Sequence, residues 1–399
     1  MRFKFNFLQV IGLLCCLCIN SIIGASLSPD AKFSQDITAT MQKFVDNHSI
    51  AGSVTLVADR DKIISLDTVG YANLSSKIPM KKDSLFWIAS MTKPMTAVLV
   101  LMLQDEKKLS VEDPVEKYLP EFKNQWMIRE KSANRIELVP TPRPITLRDL
   151  LTHTSGLGDV QAPRAYCSLA ELVMAYAQQP LRFSPGSKWE YSNAGINTLG
   201  RIVEVVSGVP YAEFMQNRLF NPLKMKNTTF WPDNTQIRRL AKSYQPNISG
   251  TDLEETQIYF VKGEMNDRKR TPYPAGGLFS TAEDIFRFYQ MMLQDGMYQG
   301  KRILSSESVS LMTRTQTGDI KTGFTEGMSF GFGFAVVKNP IGVTGMLSQG
   351  TYGHGGAYGT QSWADPKKNR IVIMMIQRAK LPNGDASEMR KAFQETALK

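Results

Sequence analysis

Apolar residues recur at helical spacing between Ser34 and Asn47, with Ile37, Met41, Phe44 and Val45 on one face, and this predicts an amphipathic helix. Two β-rich runs follow, Gly52 to Ala58 and Lys62 to Val69, joined by Asp59-Arg60-Asp61 in the manner of a hairpin. A second helix is predicted from about Met91 through Leu103, where Val, Leu and Met dominate. From Glu106 to Pro274 the pattern breaks into short helical segments, at 147–152, 169–178 and 196–206. The breaks fall at Pro140 to Pro144, Pro180, Ser184-Pro185-Gly186 and Gly208-Val209-Pro210. Ser280-Thr281-Ala282-Glu283 has capping-box spacing and predicts a helix running to Leu293. The last stretch returns to strands, Phe330 to Val337, Thr360 to Trp363 and Arg370 to Ile376, before an amphipathic helix at Ala386 to Leu398.

Strand-bearing pieces at both ends thus bracket a mostly helical middle. The fold class is α/β (α+β): one sheet domain assembled from residues 26–105 and 275–399, with a helical domain, 106–274, inserted between its halves. No internal repeat or low-complexity tract interrupts this plan.

The first 25 residues follow a different pattern. Arg2 and Lys4 precede an unbroken apolar stretch from Val10 to Ile19, with no acid, and Gly24 and Ala25 close the segment. That is the layout of a secretory signal peptide, cleaved near Ala25, and the apolar stretch is shorter than the roughly 18 residues a spanning helix needs. A periplasmic or secreted protein is expected, and an uncleaved membrane anchor is the alternative. Cys15, Cys16 and Cys18 lie inside that segment as apolar filler, so the mature chain keeps Cys167 alone and has no internal disulfide. The remaining composition is that of a globular protein: 399 residues, 42% hydrophobic and 21% charged. The net charge of +10 comes from scattered basic residues without a nucleic-acid-binding module, so no nucleic-acid partner is expected. Weak attraction to an anionic cell envelope is the most the charge implies. Three histidines, His48, His153 and His354, are too few for a multi-histidine metal centre, and no metal or cofactor is expected.

Candidate chemistry concentrates in three places. The first is Ser90-Met91-Thr92-Lys93-Pro94. Residues three apart on a helix share a face, so Lys93 reaches Ser90, and a desolvated lysine can take the proton from a serine hydroxyl. Ser90 is the chain's only serine with a lysine three residues later. Pro94 sharpens the pattern: a proline deep in a helix clashes with the carbonyl four residues back, so the helix begins near Ser90. The Ser90 N–H then lies among the unpaired donors of a helix start, suited to stabilising an oxyanion. The second place is Tyr191-Ser192-Asn193, where a phenol and an amide on one loop can face a nucleophile. The same Tyr-x-Asn spacing at Tyr71-Ala72-Asn73 shows how little the tripeptide says alone. The third is Tyr352-Gly353-His354-Gly355-Gly356-Ala357, whose glycines let backbone approach a ligand, or which is a turn followed by an edge strand. A G-x-S-x-G elbow, H-E-x-x-H, a Walker A loop and G-x-G-x-x-G are all absent.

Taken in order, Ser90-x-x-Lys93, Tyr191-x-Asn193 and His354-Gly355-Gly356 resemble the serine β-lactamase/penicillin-binding-protein superfamily. The likeness is greatest to the class C β-lactamase-like branch, with its D-alanyl-D-alanine carboxypeptidases, D-aminopeptidases and β-lactamase-fold carboxylesterases. It spans nearly the whole mature chain and includes Leu150 to Leu157, Gly276 to Ser280 and Gly359 to Pro366. The resemblance implies an antiparallel sheet of the β-lactamase/transpeptidase type and a single catalytic unit. It implies Ser90 as nucleophile, Lys93 as its partner, and Tyr191 as general base that also activates the deacylating water. Whether Lys93 or Tyr191 takes the first proton is left open. Asn193 would hold Lys93 or a substrate amide, and the Ser90 and Ala357 N–H groups would form the oxyanion hole. His153 is assigned a structural role.

One departure from the family pattern matters. His354-Gly355-Gly356 stands where β-lactamases of this branch carry Lys-Thr-Gly. A largely neutral histidine binds a substrate carboxylate less well than a permanent cation, and Gly355 removes a hydroxyl. The expectation is an exported serine hydrolase acting on a small ester or D-amino-acid peptide. A β-lactamase or carboxypeptidase with the same residues, or a β-lactam or cell-wall-fragment sensor that acylates without turnover, are the alternatives.

Overall fold

The computed structural model describes residues 29–163 and 166–399, so the signal-peptide segment lies outside the described residues. Its centre is an eight-stranded antiparallel sheet. In spatial order the strands are Met328–Phe330, Ala335–Val337, Tyr352–Gly355, Gln361–Asp365, Arg370–Met375, Gly52–Ala58, Ile63–Asn73 and Ile78–Pro79. The two ends of the chain meet inside it, where Val54 pairs with Met375 and Ala58 with Ile371.

Alternation along the two central strands sets the layers. Val54, Leu56 and Ala58, with Ile371, Ile373 and Met375, join one large core that continues through the Lys93–Asp105 and Ala282–Leu293 helices into the middle of the chain. Val57, Val372 and Met374 point the other way, onto Ile37 and Met41 of the Pro29–Asp46 helix and Met389 and Phe393 of the Glu388–Ala397 helix. Because both faces are covered, every residue of Gly52–Ala58 is buried, and the strand reads as a nearly continuous apolar run. The N- and C-terminal helices therefore cover one face of the sheet together.

The structure departs from the sequence pattern at several points. The run from Phe330 to Val337 is not one strand but two, turned at Gly331-Phe332-Gly333. A Cβ on Gly331 would lie 1.9 Å from Met312 O, and Gly333 has φ +75°. The helix after Ser280 is capped one residue later, by Thr281 on Asp284 N–H, because Ser280 sits in a short strand and bonds Thr228. The middle of the chain also contains two short hairpins, the largely exposed Trp126–Lys131 with Ile136–Pro140, and the more buried Ser243–Pro246 with Leu253–Thr256. The glycine-rich run is an interior strand, Tyr352–Gly355, not an edge. Among the described residues no helix is long and apolar enough to cross a membrane.

Candidate active site

Ser90 lies in a 3₁₀ turn, Ala89–Thr92, which passes directly into the Lys93–Asp105 helix with Pro94 in its first turn. Proline is tolerated there because the first-turn N–H groups have no intrahelical partner. The turn is tightened by Ala89, a non-glycine residue at φ +45°, and by Thr92 Oγ1 donating to Ala89 O at 2.7 Å. A left-handed residue of this kind holds strain of about 1–3 kcal/mol and persists only where packing fixes it. Ala89 is 2% exposed.

One turn on, the Lys93 ammonium position is enclosed. Nζ lies 2.9 Å from Ser90 Oγ, 2.8 Å from Asn193 Oδ1 and 2.6 Å from Ala275 O. Burial lowers its pKa from the usual lysine range to about 7, with the Asp159 carboxylate pulling the other way. The orientation of the Asn193 amide is fixed independently, since its Nδ2 donates to Asp159 Oδ2 at 3.0 Å and a carboxylate can only accept. Neutral Lys93 has two N–H bonds and one lone pair. Asn193 Oδ1 and Ala275 O are pure acceptors and take both N–H bonds, so the lone pair is left for the Ser90 hydroxyl.

Asn193 opens the Asn193–Ser207 helix, whose start is doubly anchored. Ser192 Oγ accepts from Gly195 N at 3.0 Å and Asp159 Oδ1 from Ala194 N at 2.6 Å. Tyr191, immediately before it, places its ring 4.6 Å beneath Lys93 Nζ and its hydroxyl toward Ser90. Burial pushes the phenol pKa well above its usual value, and the contact with Ser90 offsets this only in part. His153 clamps the segment carrying Tyr191. Its carbonyl accepts from Glu190 N at 3.0 Å, its Nδ1 from Ser192 N at 3.2 Å, and its ring packs 4.6 Å from the Tyr191 ring. Burial and the Lys93 charge keep His153 neutral. It thus touches Tyr191 and holds the backbone on either side of it.

The Tyr352–Gly355 strand forms the facing wall. A Cβ on Gly356 would lie 2.6 Å from Ile88 O, so only glycine lets this backbone approach the Ser90 turn. Gly356 N–H is taken by Thr360 O, whereas among the described residues neither the Ser90 nor the Ala357 N–H has an acceptor. Both residues line a cavity of ≈ 400 Å³ with Tyr191, Asn193 and His354. His354 Nδ1 donates to Gly355 O at 2.7 Å, which leaves Nε2 as the unprotonated nitrogen; burial and the Lys93 charge bring its pKa down to about 4. The sequence-predicted residues Ser90, Lys93, Tyr191, Asn193, His354, Gly355, Gly356 and Ala357 are therefore brought together around one space.

Two residues here were not anticipated from sequence. Asp159, in the loop after Gly156-Leu157-Gly158, has no motif to mark it. Asp385, in the short turn before the last helix, lies over Gly355: a Cβ there would stand 2.2 Å from Asp385 Oδ1.

A profile of the family described as Beta-lactamase matches residues 37–396. The chain belongs to that family. A Mycobacterium tuberculosis relative, protein Rv1367c, is 34% identical over 361 residues, covering 85% of this chain and 88% of its own. Esterase EstB of Burkholderia gladioli is 28% identical over 392 residues, covering 89% and 94%. Among solved structures, EstCE1, "a hydrolase with promiscuous acyltransferase activity", superposes with TM-score 0.77 at 24% identity, covering 93% of this chain and 99% of the other. That last likeness bears on the fold, which is the β-lactamase/transpeptidase one. Relatives of this β-lactamase-fold serine hydrolase family include both esterases and penicillin-binding proteins.

Proposed function

We propose that this chain is an exported serine hydrolase that cleaves esters through an acyl-enzyme on Ser90. The observation that carries the reading is the environment of Lys93: a buried lysine with a pKa near 7, both N–H bonds occupied by acceptors, and its lone pair directed at Ser90 Oγ. A base poised near neutrality and already bonded to the nucleophile needs no rearrangement.

Lys93 Nζ takes the Ser90 proton as Oγ bonds to the carbonyl carbon, and the π pair moves onto the carbonyl oxygen. The Ser90 and Ala357 N–H groups receive that oxyanion. Collapse expels the leaving-group oxygen. Tyr191, held neutral by burial, donates its proton there and recovers one from the Lys93 ammonium beside its ring. In the second half, a water gives its proton to the Tyr191–Lys93 pair as its oxygen attacks the acyl carbon, and Ser90 leaves with a proton restored. Asn193 keeps Lys93 on Ser90, and Asp159 keeps Asn193 in register.

The relatives named as esterases support an ester substrate. So does His354, whose imidazole is neutral across the physiological range and supplies no cation for a carboxylate. β-Lactamase or D-alanyl-D-alanine carboxypeptidase activity with the same residues is the second reading, favoured by the relatives named penicillin-binding proteins. The test is hydrolysis of 4-nitrophenyl butyrate beside consumption of benzylpenicillin, with intact mass followed in both. Release of 4-nitrophenol by the wild type, its loss in Ser90→Ala and a transient +70 Da acyl adduct on Ser90 (roughly the mass of a butyryl group replacing hydrogen) are expected. Equal turnover by Ser90→Ala refutes the mechanism, and faster consumption of the drug than of the ester replaces the ester reading with the second one.

A further inference from the structure

The walls of the Ser90 cavity carry one charge that the acyl-enzyme steps do not use. Among the described lining residues Asp385 is the only one with a formal charge at neutral pH: no lysine or arginine faces the space, and His354 is neutral. Lys93 sits behind Ser90 with every polar contact committed. The same cavity is lined by aromatic rings in two groups, Trp87 with Tyr259 and Phe260, and Tyr191 with Phe324.

The carboxylate is also built in. Trp363 Nε1 donates to Gln361 Oε1 at 2.8 Å, and Gln361 Nε2 donates to Asp385 Oδ1 at 3.0 Å, so a buried relay fixes one carboxylate oxygen. Asp385 N–H is held by Asn383 Oδ1 at 3.0 Å. The buried Arg390 guanidinium lies over the Trp363 ring and donates to the Asp385 backbone oxygen; it attracts the Asp385 carboxylate through space without a hydrogen bond to it. Among the described residues Oδ2 accepts no hydrogen bond. Gly355 is the complementary change: any side chain there would collide with Oδ1. A held carboxylate sharing a cavity with aromatic rings is the combination that attracts an organic cation, through direct charge and through ring quadrupoles together.

We propose that the Ser90 cavity selects substrates bearing an ammonium group, and that Asp385 is the residue that determines this specificity. The inference rests on the acyl-enzyme reading above and adds the substrate class: an ester whose acyl or alcohol part carries a primary or quaternary ammonium. A carboxylate-bearing substrate meets a like charge at the same place.

The test uses matched esters. Butyrylthiocholine is compared with its neutral isostere, the 3,3-dimethylbutyl thioester, and with the 2-carboxyethyl thioester. On the acyl side, 4-nitrophenyl 4-(trimethylammonio)butanoate is compared with 4-nitrophenyl 5,5-dimethylhexanoate. In at least one pair the cationic ester should be favoured in kcat/KM by about tenfold or more. The anionic ester should be the poorest of its three. That preference should shrink when salt rises from about 0.05 M to about 0.5 M. In Asp385→Asn the ratio of cationic to neutral kcat/KM should collapse toward one, whatever happens to the two rates separately. A preference that persists in Asp385→Asn, or neutral esters equal to or better than cationic ones in both pairs, overturns the proposal. Calorimetry with tetramethylammonium, beside neopentyl alcohol, separates this inference from the hydrolase reading. If no ester is turned over, the hydrolase reading fails, while tetramethylammonium binding lost in Asp385→Asn still supports a cation site; no difference between wild type and variant refutes it.

Discussion

The two walls of the cavity are made differently. On the Ser90 wall the reacting side chains are tied into one network: Lys93 bonds Ser90, Asn193 and Ala275, Asn193 bonds Asp159, and Asp159 caps the helix that begins with Asn193. On the facing wall stand a neutral His354 and the side-chain-free Gly355, and Asp385 occupies the space that a side chain at position 355 would take. A closed network of this kind tolerates little change without losing chemistry, whereas a wall of backbone donors and one removable charge can be retuned for another substrate. Reaction and recognition are thus held by separate parts of the chain, and substitutions on the two walls should have separable signatures.

The largest effect belongs to the nucleophile. Ser90→Ala should lower kcat by about 10⁴-fold or more, leaving whatever binding and oxyanion stabilisation give alone. Its thermal midpoint should stay within a few degrees of wild type, since Ser90 Oγ meets only Lys93 and Tyr191 among the described side chains and the substitution removes a single small hydroxyl. A folded Ser90→Ala protein with a tenth of wild-type activity would break the comparison at its root.

Next comes the base. With a Lys93 pKa near 7, the productive neutral form is scarce below that value and dominant above it, so kcat/KM should rise about tenfold per pH unit on the acid side and level off above about pH 7. Lys93→Arg keeps a cation but not one that gives up its proton, and should lose activity by about 10³-fold with no recovery at higher pH. A pH profile flat from 5 to 8 in the wild type would remove Lys93 from the role of base.

The facing wall should respond more mildly. Gly355→Thr restores the hydroxyl side chain of the family pattern, but its Cβ must displace Asp385, which Gln361 holds in place. A stability loss of about 1–3 kcal/mol is expected from such overpacking. The neutral-ester rate should fall only about tenfold, because Ser90 and Lys93 are untouched. Thermal melts beside ester kinetics check both numbers. A loss as deep as that of Ser90→Ala would mean that the walls are not separable.

How much of this was legible in sequence follows from where each residue gets its signal. Ser90, Lys93 and Pro94 are local: three positions on one helix start carry their own geometric argument, and the turn lies where Pro94 required it. The central strands and terminal helices were equally readable, since both depend on periodicity within about ten residues. Tyr191 and Asn193 were weak as a tripeptide and became informative only through their order along the chain. Asp159 and Asp385 had no signal. Each is an acid in a loop, and its meaning comes from contacts with residues 34 and 30 positions away, which no local pattern encodes. The split of Phe330–Val337 was missed for a related reason: Gly331 turns there because Met312 O, on a helix, leaves no room for a side chain.

Asp159 gives the smallest and most discriminating test of the Ser90 wall. Its carboxylate does two things at once: it accepts from Ala194 N and Asn193 Nδ2, and its charge raises the Lys93 pKa against the effect of burial. Asp159→Asn removes the charge and replaces one acceptor oxygen with a donor. If the residue were only a helix cap, the plateau rate would fall with Asn193 loosened, and the midpoint of the pH profile would stay near 7. If its field tunes the base as well, Lys93 loses a stabilising partner for its ammonium form and its pKa falls further. The acid limb then moves to lower pH, and the variant retains a larger fraction of its own plateau at pH 6 than the wild type does. A drop in plateau of about tenfold with the midpoint shifted downward is expected, because capping and field are lost together. A midpoint that moves upward would contradict the sign of the charge, and with it the assignment of the titration to Lys93.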